Sequence, residues 1–170
     1  PQETEEGVRI ALELHAPVIR GLLKGVKGTT LHYFNNENFE PDTVAVTFES
    51  VQHDDQLSVN RAIAALTNCM RTIGCVKELH VENRHHSILI EYSKGLPKIA
   101  ELIATHPILP DDNFVMTPNY KNFQRVKKGE ILATDKNGNV VAKQDSLILM
   151  PLYQKQGDDG FFLIKSLTPD

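Results

Sequence analysis

The sequence predicts an α/β fold in two parts. Residues 1–78 read as the C-terminal part of an α/β domain, and residues 79–170 as a small, mainly antiparallel β domain. Three observations carry this. Helical periodicity is clear in the first half, above all from Ser58 to Ile73. Alternating β-branched residues run from Thr43 to Phe48 and lead into a glutamate, Glu49. From Val76 onward the chain changes to short apolar runs broken by Gly, Asn and Asp clusters. With 41% hydrophobic and 24% charged residues, the 170-residue chain has the composition of a globular protein able to fill a core. A net charge of -4 lacks the basic excess of a nucleic-acid binder. No apolar run reaches membrane-spanning length and no signal-peptide pattern opens the chain, so neither nucleic acid nor membrane is an expected partner.

In chain order, Thr4 to Leu23 reads as a helix. Thr4 is a suitable N-cap, Glu5 and Glu6 oppose the helix dipole, and Val8, Leu12, Ile19 and Leu22 recur near helical spacing. Pro17 predicts a kink or break near His15. Thr29 to Tyr33 is expected to be a short strand, Asn35 to Asp42 a loop, and Thr43 to Phe48 a half-buried strand. The clearest helix starts at Ser58 and ends at Gly74, with Val59, Ile63, Leu66, Met70 and Ile73 as its core-facing stripe. Strands are expected at Ser87–Tyr92, Phe114–Thr117, Glu130–Thr134, Val140–Lys143, Ser146–Leu152 and Phe161–Lys165, with one helix from Pro97 to His106. Asn137-Gly138 predicts a type I′ hairpin turn, because both residues accept positive φ. Lys127 to Glu130 and Gly157 to Gly160 read as further tight turns.

Glu49 is the candidate for chemistry. A carboxylate at the C-terminal end of a strand opens onto the crevice where α/β sheets bind ligands, which suits a general base. An ordinary solvated strand-end glutamate is the competing reading. His53, in the polar turn with Asp54 and Asp55, is the candidate for contacting substrate in the same pocket, against the alternative of an exposed turn histidine. The seven histidines are scattered and none has metal-ligand spacing, so no metal ligand is assigned. Asp158-Asp159 sits between glycines and reads as a turn device rather than an acid–base pair. Cys69 and Cys75 lack CxxC spacing, which predicts reduced thiols and a cytoplasmic location.

Three segments in order carry a resemblance. They are Gly28-Thr29-Thr30-Leu31-His32-Tyr33 leading to Phe48-Glu49 and Gln52-His53-Asp54; then Phe123 through Lys128-Gly129-Glu130-Ile131-Leu132-Ala133; then Leu149-Met150-Pro151-Leu152-Tyr153-Gln154 with Gly157 to Phe162. In this order the chain resembles the succinylglutamate desuccinylase and aspartoacylase family, relatives of the zinc carboxypeptidases. The resemblance implies a zinc-carboxypeptidase-like α/β domain followed by the β domain. It also implies a zinc-dependent hydrolase that cleaves the amide of an N-acylated amino acid, with Glu49 as general base. In that family zinc polarises the acyl carbonyl and lowers the pKa of its bound water, and the base moves the proton to the leaving amine. The family holds zinc with a His-x-x-Glu pair and a later His. No His-x-x-Glu occurs here. The resemblance therefore implies ligands outside this chain. The absence of an initiating Met before Pro1 adds the expectation that it is part of a longer polypeptide, inactive alone. The Tyr153 to Phe161 loop is then expected to gate substrate access. A non-catalytic β-rich binding module, or a peptide-cleaving zinc carboxypeptidase, are the alternatives.

Overall fold

The structure, a computed structural model, describes residues 1, 3–25, 30–34, 38–39, 43–50, 57–154 and 157–168. Helix α1 covers Glu5–Glu13. Thr4 caps it, its Oγ1 accepting a hydrogen bond from the Gly7 amide at 3.0 Å. Its buried side is Ile10, Ala11 and the capping Leu14; Leu12 of the expected stripe is exposed. The helix stops at the place that Pro17 predicts. His15 takes a left-handed φ of 53°, and beyond Pro17 the chain continues as a strand, β1, Val18–Arg20, rather than as more helix.

Leu22–Gly25 (α2) and Thr30–Tyr33 (α3) are single helical turns. The second replaces an expected strand: the Phe34 amide bonds back to the Thr30 carbonyl at 3.0 Å. Helix α4, Leu57–Thr72, is the long helix that the periodicity predicts. His86–Ser93 forms α5, where alternation predicts a strand. Only Leu89 of that segment is buried, packed on Ala64 and Ala65 of α4.

The remaining elements are strands: β2 Ile99–Pro107, β3 Val115–Met116, β4 Gln124–Val126, β5 Ile131–Asp135, β6 Gly138–Val141, β7 Ser146–Leu149 and β8 Asp159–Ser166. They form a mixed five-stranded sheet, ordered β1-β2-β8-β7-β4, and an antiparallel three-stranded sheet, ordered β3-β5-β6. β2 replaces the helix expected over Pro97 to His106. It runs parallel to β1 and antiparallel to β8. Because β1 comes from the first part of the chain, the main sheet spans both parts. β4 lies where the sequence pattern predicts no element; it pairs with β7 through Gln124↔Ile148.

β8 is central and its residues 160–164 are all buried. Their two faces serve two cores. Phe161 and Leu163 join Val126 and Ile148 with Met116, Leu132 and Ala133 of the smaller sheet. Phe162 and Ile164 join Ala100 and Leu149, covered by Ile19 and Leu22. A strand buried on both faces reads as a continuous apolar run, and Phe-Phe-Leu-Ile is that run. The fold is thus mixed α/β, with β5–β6 and β7–β8 paired antiparallel as the sequence predicts. Among the described residues no helix is long and apolar enough to cross a membrane.

Candidate functional site

Glu49 is exposed, near the end of the segment 43–50, which forms neither helix nor strand. The β-branched alternation of Thr43 to Phe48 favours a strand, but a strand also needs a ladder, and none of the described strands pairs with the segment. What holds the segment is Phe48, whose side chain packs against Ala64, Ala65 and Leu89. The α4–α5 junction therefore anchors the residue before Glu49, while the carboxylate itself faces solvent. His53, with Gln52, Asp54 and Asp55, lies outside the described residues, as do Gly28 and Thr29.

The same junction carries a polar cluster that no local pattern announces. The His15 and His86 rings meet edge to face, with centroids 4.8 Å apart and planes at 83°. Asn68, buried on α4, lies with its Nδ2 3.3 Å from His86 Nδ1. Its Oδ1 accepts from Asn83 Nδ2 at 2.8 Å, and Asn83 Nδ2 also reaches the Ala64 carbonyl at 2.9 Å. Because Asn68 Oδ1 is an acceptor, its NH2 faces His86 and donates. His86 Nδ1 is then the acceptor nitrogen of a neutral ring, with the proton on Nε2. Burial, then His15 and Arg71, hold the His86 pKa below its ordinary value, with Glu78 opposing them. Arg71 donates to the Val81 carbonyl and lies 3.8 Å from Glu78. The cluster thus presents two imidazoles, one of them neutral and oriented, at the α4–α5 junction on which Phe48 packs.

A second polar group ties the sheets together. His106 stacks on Phe161, rings 5.2 Å apart at 6°, and its Nε2 is 3.9 Å from Asp135 Oδ2. Asp112, 6% exposed, bonds Lys136 Nζ at 2.8 Å and accepts from the Leu109 amide at 2.7 Å. Both contacts, led by the lysine, keep its carboxyl below the usual range. His106, at the end of β2, and Asp112, in the β2–β3 connection, thus reach the β5–β6 hairpin through Asp135 and Lys136, which is a structural task. At the expected gate, Tyr153 is pinned. Its hydroxyl donates to the Thr117 carbonyl at 2.8 Å and accepts from the Tyr120 amide at 2.7 Å. Residues 155–156 of that loop lie outside the described residues. Asp159 opens β8, and burial followed by the charge of Asp158 raises its pKa.

The zinc implied by the resemblance needs at least three protein ligands. Among the described residues no group of three His, Cys, Asp or Glu side chains could hold a metal ion. His86, the best-placed imidazole, already has Nδ1 engaged by an asparagine. The described residues do not fit the metal. Comparison of the chain with family models, curated proteins and solved structures finds no match.

Proposed function

We propose that this chain is the C-terminal part of a zinc-dependent hydrolase that cleaves the amide of an N-acylated amino acid, similar to aspartoacylase and succinylglutamate desuccinylase, with Glu49 as its general base. On this reading the zinc ligands lie outside this chain, whose own contribution is proton transfer. The observation that carries the reading is the pairing of an anchored Phe48 with an exposed Glu49. A base must be held still yet reach its proton, and an inward aromatic followed by an outward carboxylate does both. In amide hydrolysis, Glu49 takes a proton from the attacking water as the C–O bond forms. It returns that proton to the nitrogen as the C–N bond breaks, releasing a carboxylic acid and a free amine.

The test is hydrolysis of a panel of N-acyl amino acids by the polypeptide as encoded, with and without Glu49→Gln. Removing a general base lowers turnover by about 10²–10⁴-fold while KM stays within a few-fold, because the amide keeps the side chain's shape but not its basicity. A variant with near-normal turnover removes Glu49 from the mechanism. Cleavage of peptides in place of acyl amino acids selects the carboxypeptidase reading. A folded protein that hydrolyses neither class leaves a β-rich binding module.

A further inference from the structure

Two signals in the sequence have no part in amide hydrolysis. One is the apolar stripe of α4, which faces solvent. Val59, Ile63, Leu66, Met70 and, just past the helix end, Ile73 are exposed, and the buried side is Arg61, Ala64, Ala65 and Asn68. Nothing in the structure shows what covers it. The other is the dipeptide Asn137-Gly138 at the tip of the β5–β6 hairpin, and there the chain supplies the chemistry itself.

An asparagine followed by glycine carries an electrophile and a nucleophile on adjacent residues. The electrophile is the side-chain Cγ. The nucleophile is the main-chain nitrogen of the glycine, which no Cβ screens. Closing a five-membered ring between them needs a free carboxamide, an open approach and a backbone able to swing. Asn137 and Gly138 are both exposed. Asn137 is held through its main-chain amide, which donates to Asp135 Oδ1 at 2.7 Å, while its carboxamide has no hydrogen bond among the described residues. Nothing lies within 4 Å of the position that a Cβ on Gly138 would take. β6 is an edge strand of the three-stranded sheet, so the tip opens by breaking only pairs made with β5.

The rest of the chain shows what prevents the same reaction. Asp159-Gly160 offers an equivalent ring closure, with water leaving in place of ammonia. There the glycine is buried in β8, a Cβ on it would lie 2.5 Å from the Phe114 ring, and its carbonyl accepts from the Leu152 amide at 2.8 Å. That peptide cannot swing without opening a close-packed core. Asn68 and Asn83 have their carboxamides engaged at the α4–α5 junction, and Asn122 Oδ1 accepts from the Met150 amide. Asn113, Asn119 and Asn139 precede Phe114, Tyr120 and Val140, whose side chains screen the attacking nitrogen.

We propose that Asn137-Gly138 is a site of spontaneous covalent modification, where asparagine becomes aspartate and isoaspartate and the hairpin is thereby unfastened. The Gly138 nitrogen gives its proton to hydroxide and bonds to Asn137 Cγ. The Cγ–Nδ2 bond breaks, and ammonia leaves with a proton from water. The resulting succinimide takes up one water. Opening at the side-chain carbonyl gives aspartate; opening at the main-chain carbonyl gives isoaspartate, whose chain runs through the side chain and is one carbon longer. One water is consumed and one ammonia released, with no oxidant or reductant. The extra carbon enters a tip fastened to the β2–β3 connection. The Lys136 amide donates to the Asp112 carbonyl at 2.6 Å, its Nζ lies 2.8 Å from Asp112 Oδ1, and Asp135 faces His106. The turn between Asp135 and Gly138 cannot lengthen without displacing Lys136 from these partners.

The experiment holds the polypeptide as encoded at body temperature in mildly alkaline buffer and follows it by peptide mass spectrometry. A methyltransferase specific for isoaspartyl carboxylates counts the rearranged product. The Asn137 peptide gains the mass difference of OH for NH2 and becomes the main isoaspartyl site. Asn113, Asn119 and Asn139 keep their starting mass, and Asp159-Gly160 rearranges only in denaturant. Gly138→Ala suppresses the gain in native and denatured chains alike, so the variant stays informative if it folds poorly. The isolated isoaspartyl protein has a urea midpoint below that of Asn137→Asp, which carries the new charge on an unaltered chain. Native Asn137 left unchanged over the time in which the denatured chain converts, or converting no faster than the other three asparagines, overturns the site. Rearrangement at Asp159 as fast in the native protein as in denaturant overturns the protection assigned to burial. Equal midpoints overturn the unfastening.

Discussion

His86 shows how much of the chemistry here depends on residues far apart in sequence. Its neighbours His15, Asn68, Arg71, Glu78 and Asn83 come from the end of α1, from α4 and from the α4–α5 connection. No spacing rule joins them, so the cluster is invisible in the sequence, whereas Glu49 can be singled out by the alternating β-branched residues just before it. The cluster predicts a pH dependence. His86 has a folded-state pKa below the ordinary 6.5, with burial and then His15 and Arg71 as causes and Glu78 opposing them. Above about pH 6.5 the ring is neutral in both folded and unfolded chains, and its contribution to stability is complete. As pH falls below that, the unfolded chain takes up the proton first and the native state loses stability, levelling off once the folded ring is protonated too. The urea midpoint of the wild type should drop more between pH 7.5 and 5 than that of His86→Gln. Parallel profiles for the two proteins would show that this ring does not contribute.

Among the elements, the misreading of β2 has an identifiable cause. β2 has exposed residues at 101, 104 and 107, a three-residue spacing that imitates a helix. Of its two register shifts, the one between Leu102 and Ala104 inserts Ile103 into β2 and displaces the two-residue alternation, whereas the one between His106 and Pro107 inserts Gly160 on the β8 side. Bulges are set by the partner strand, so the true period cannot be read from Pro97 to His106 alone. The β5–β6 hairpin is legible because its signal is local, though its turn is built differently. Lys136 and Asn137 are the central residues, neither with positive φ, and Asp135 Oδ1 accepts from the Asn137 amide at 2.7 Å. Gly138 alone takes the positive φ, at 107°, in register opposite Asp135 rather than as half of a type I′ pair. On β8, Gly160 is required by space rather than by its dihedral angles. A Cβ there would lie 2.5 Å from the Phe114 ring, which the imidazole of His106 flanks in turn. Gly160→Ala should cost about 1–3 kcal/mol by overpacking. Adding Phe114→Leu should return part of it in a double-mutant cycle followed by denaturant unfolding. Strict additivity of the two changes would mean that the ring has room to yield.

At the scale of the molecule, the β portion is the better-finished half. Its two cores hold Leu132, Ile148 and Ile164 with no exposed area. The cluster under α4 and α5 consists of Ala64, Ala65 and Leu89, with Phe48 against it. The sequence locates α4 correctly but not its orientation, because periodicity shows that a helix has two faces without saying which neighbour each one meets. The parallel ladder of β1 with β2 has a consequence in time. It joins Val18 to Ile99, so β1 must wait for a partner that lies most of a domain downstream, while the β7–β8 pairing spans only the connection from Met150 to Asp158. Closing the longer loop forfeits more chain entropy before any contact repays it, which makes the β1 pairing a late event. In pulsed hydrogen exchange during refolding, amides of β7 and β8 should gain protection ahead of those of β1, and β1 should reopen first near the native state. Newly made chain would then pass through an interval in which a finished β core carries an unplaced amino-terminal strand, and that interval is when this protein is most open to capture by a chaperone or a protease.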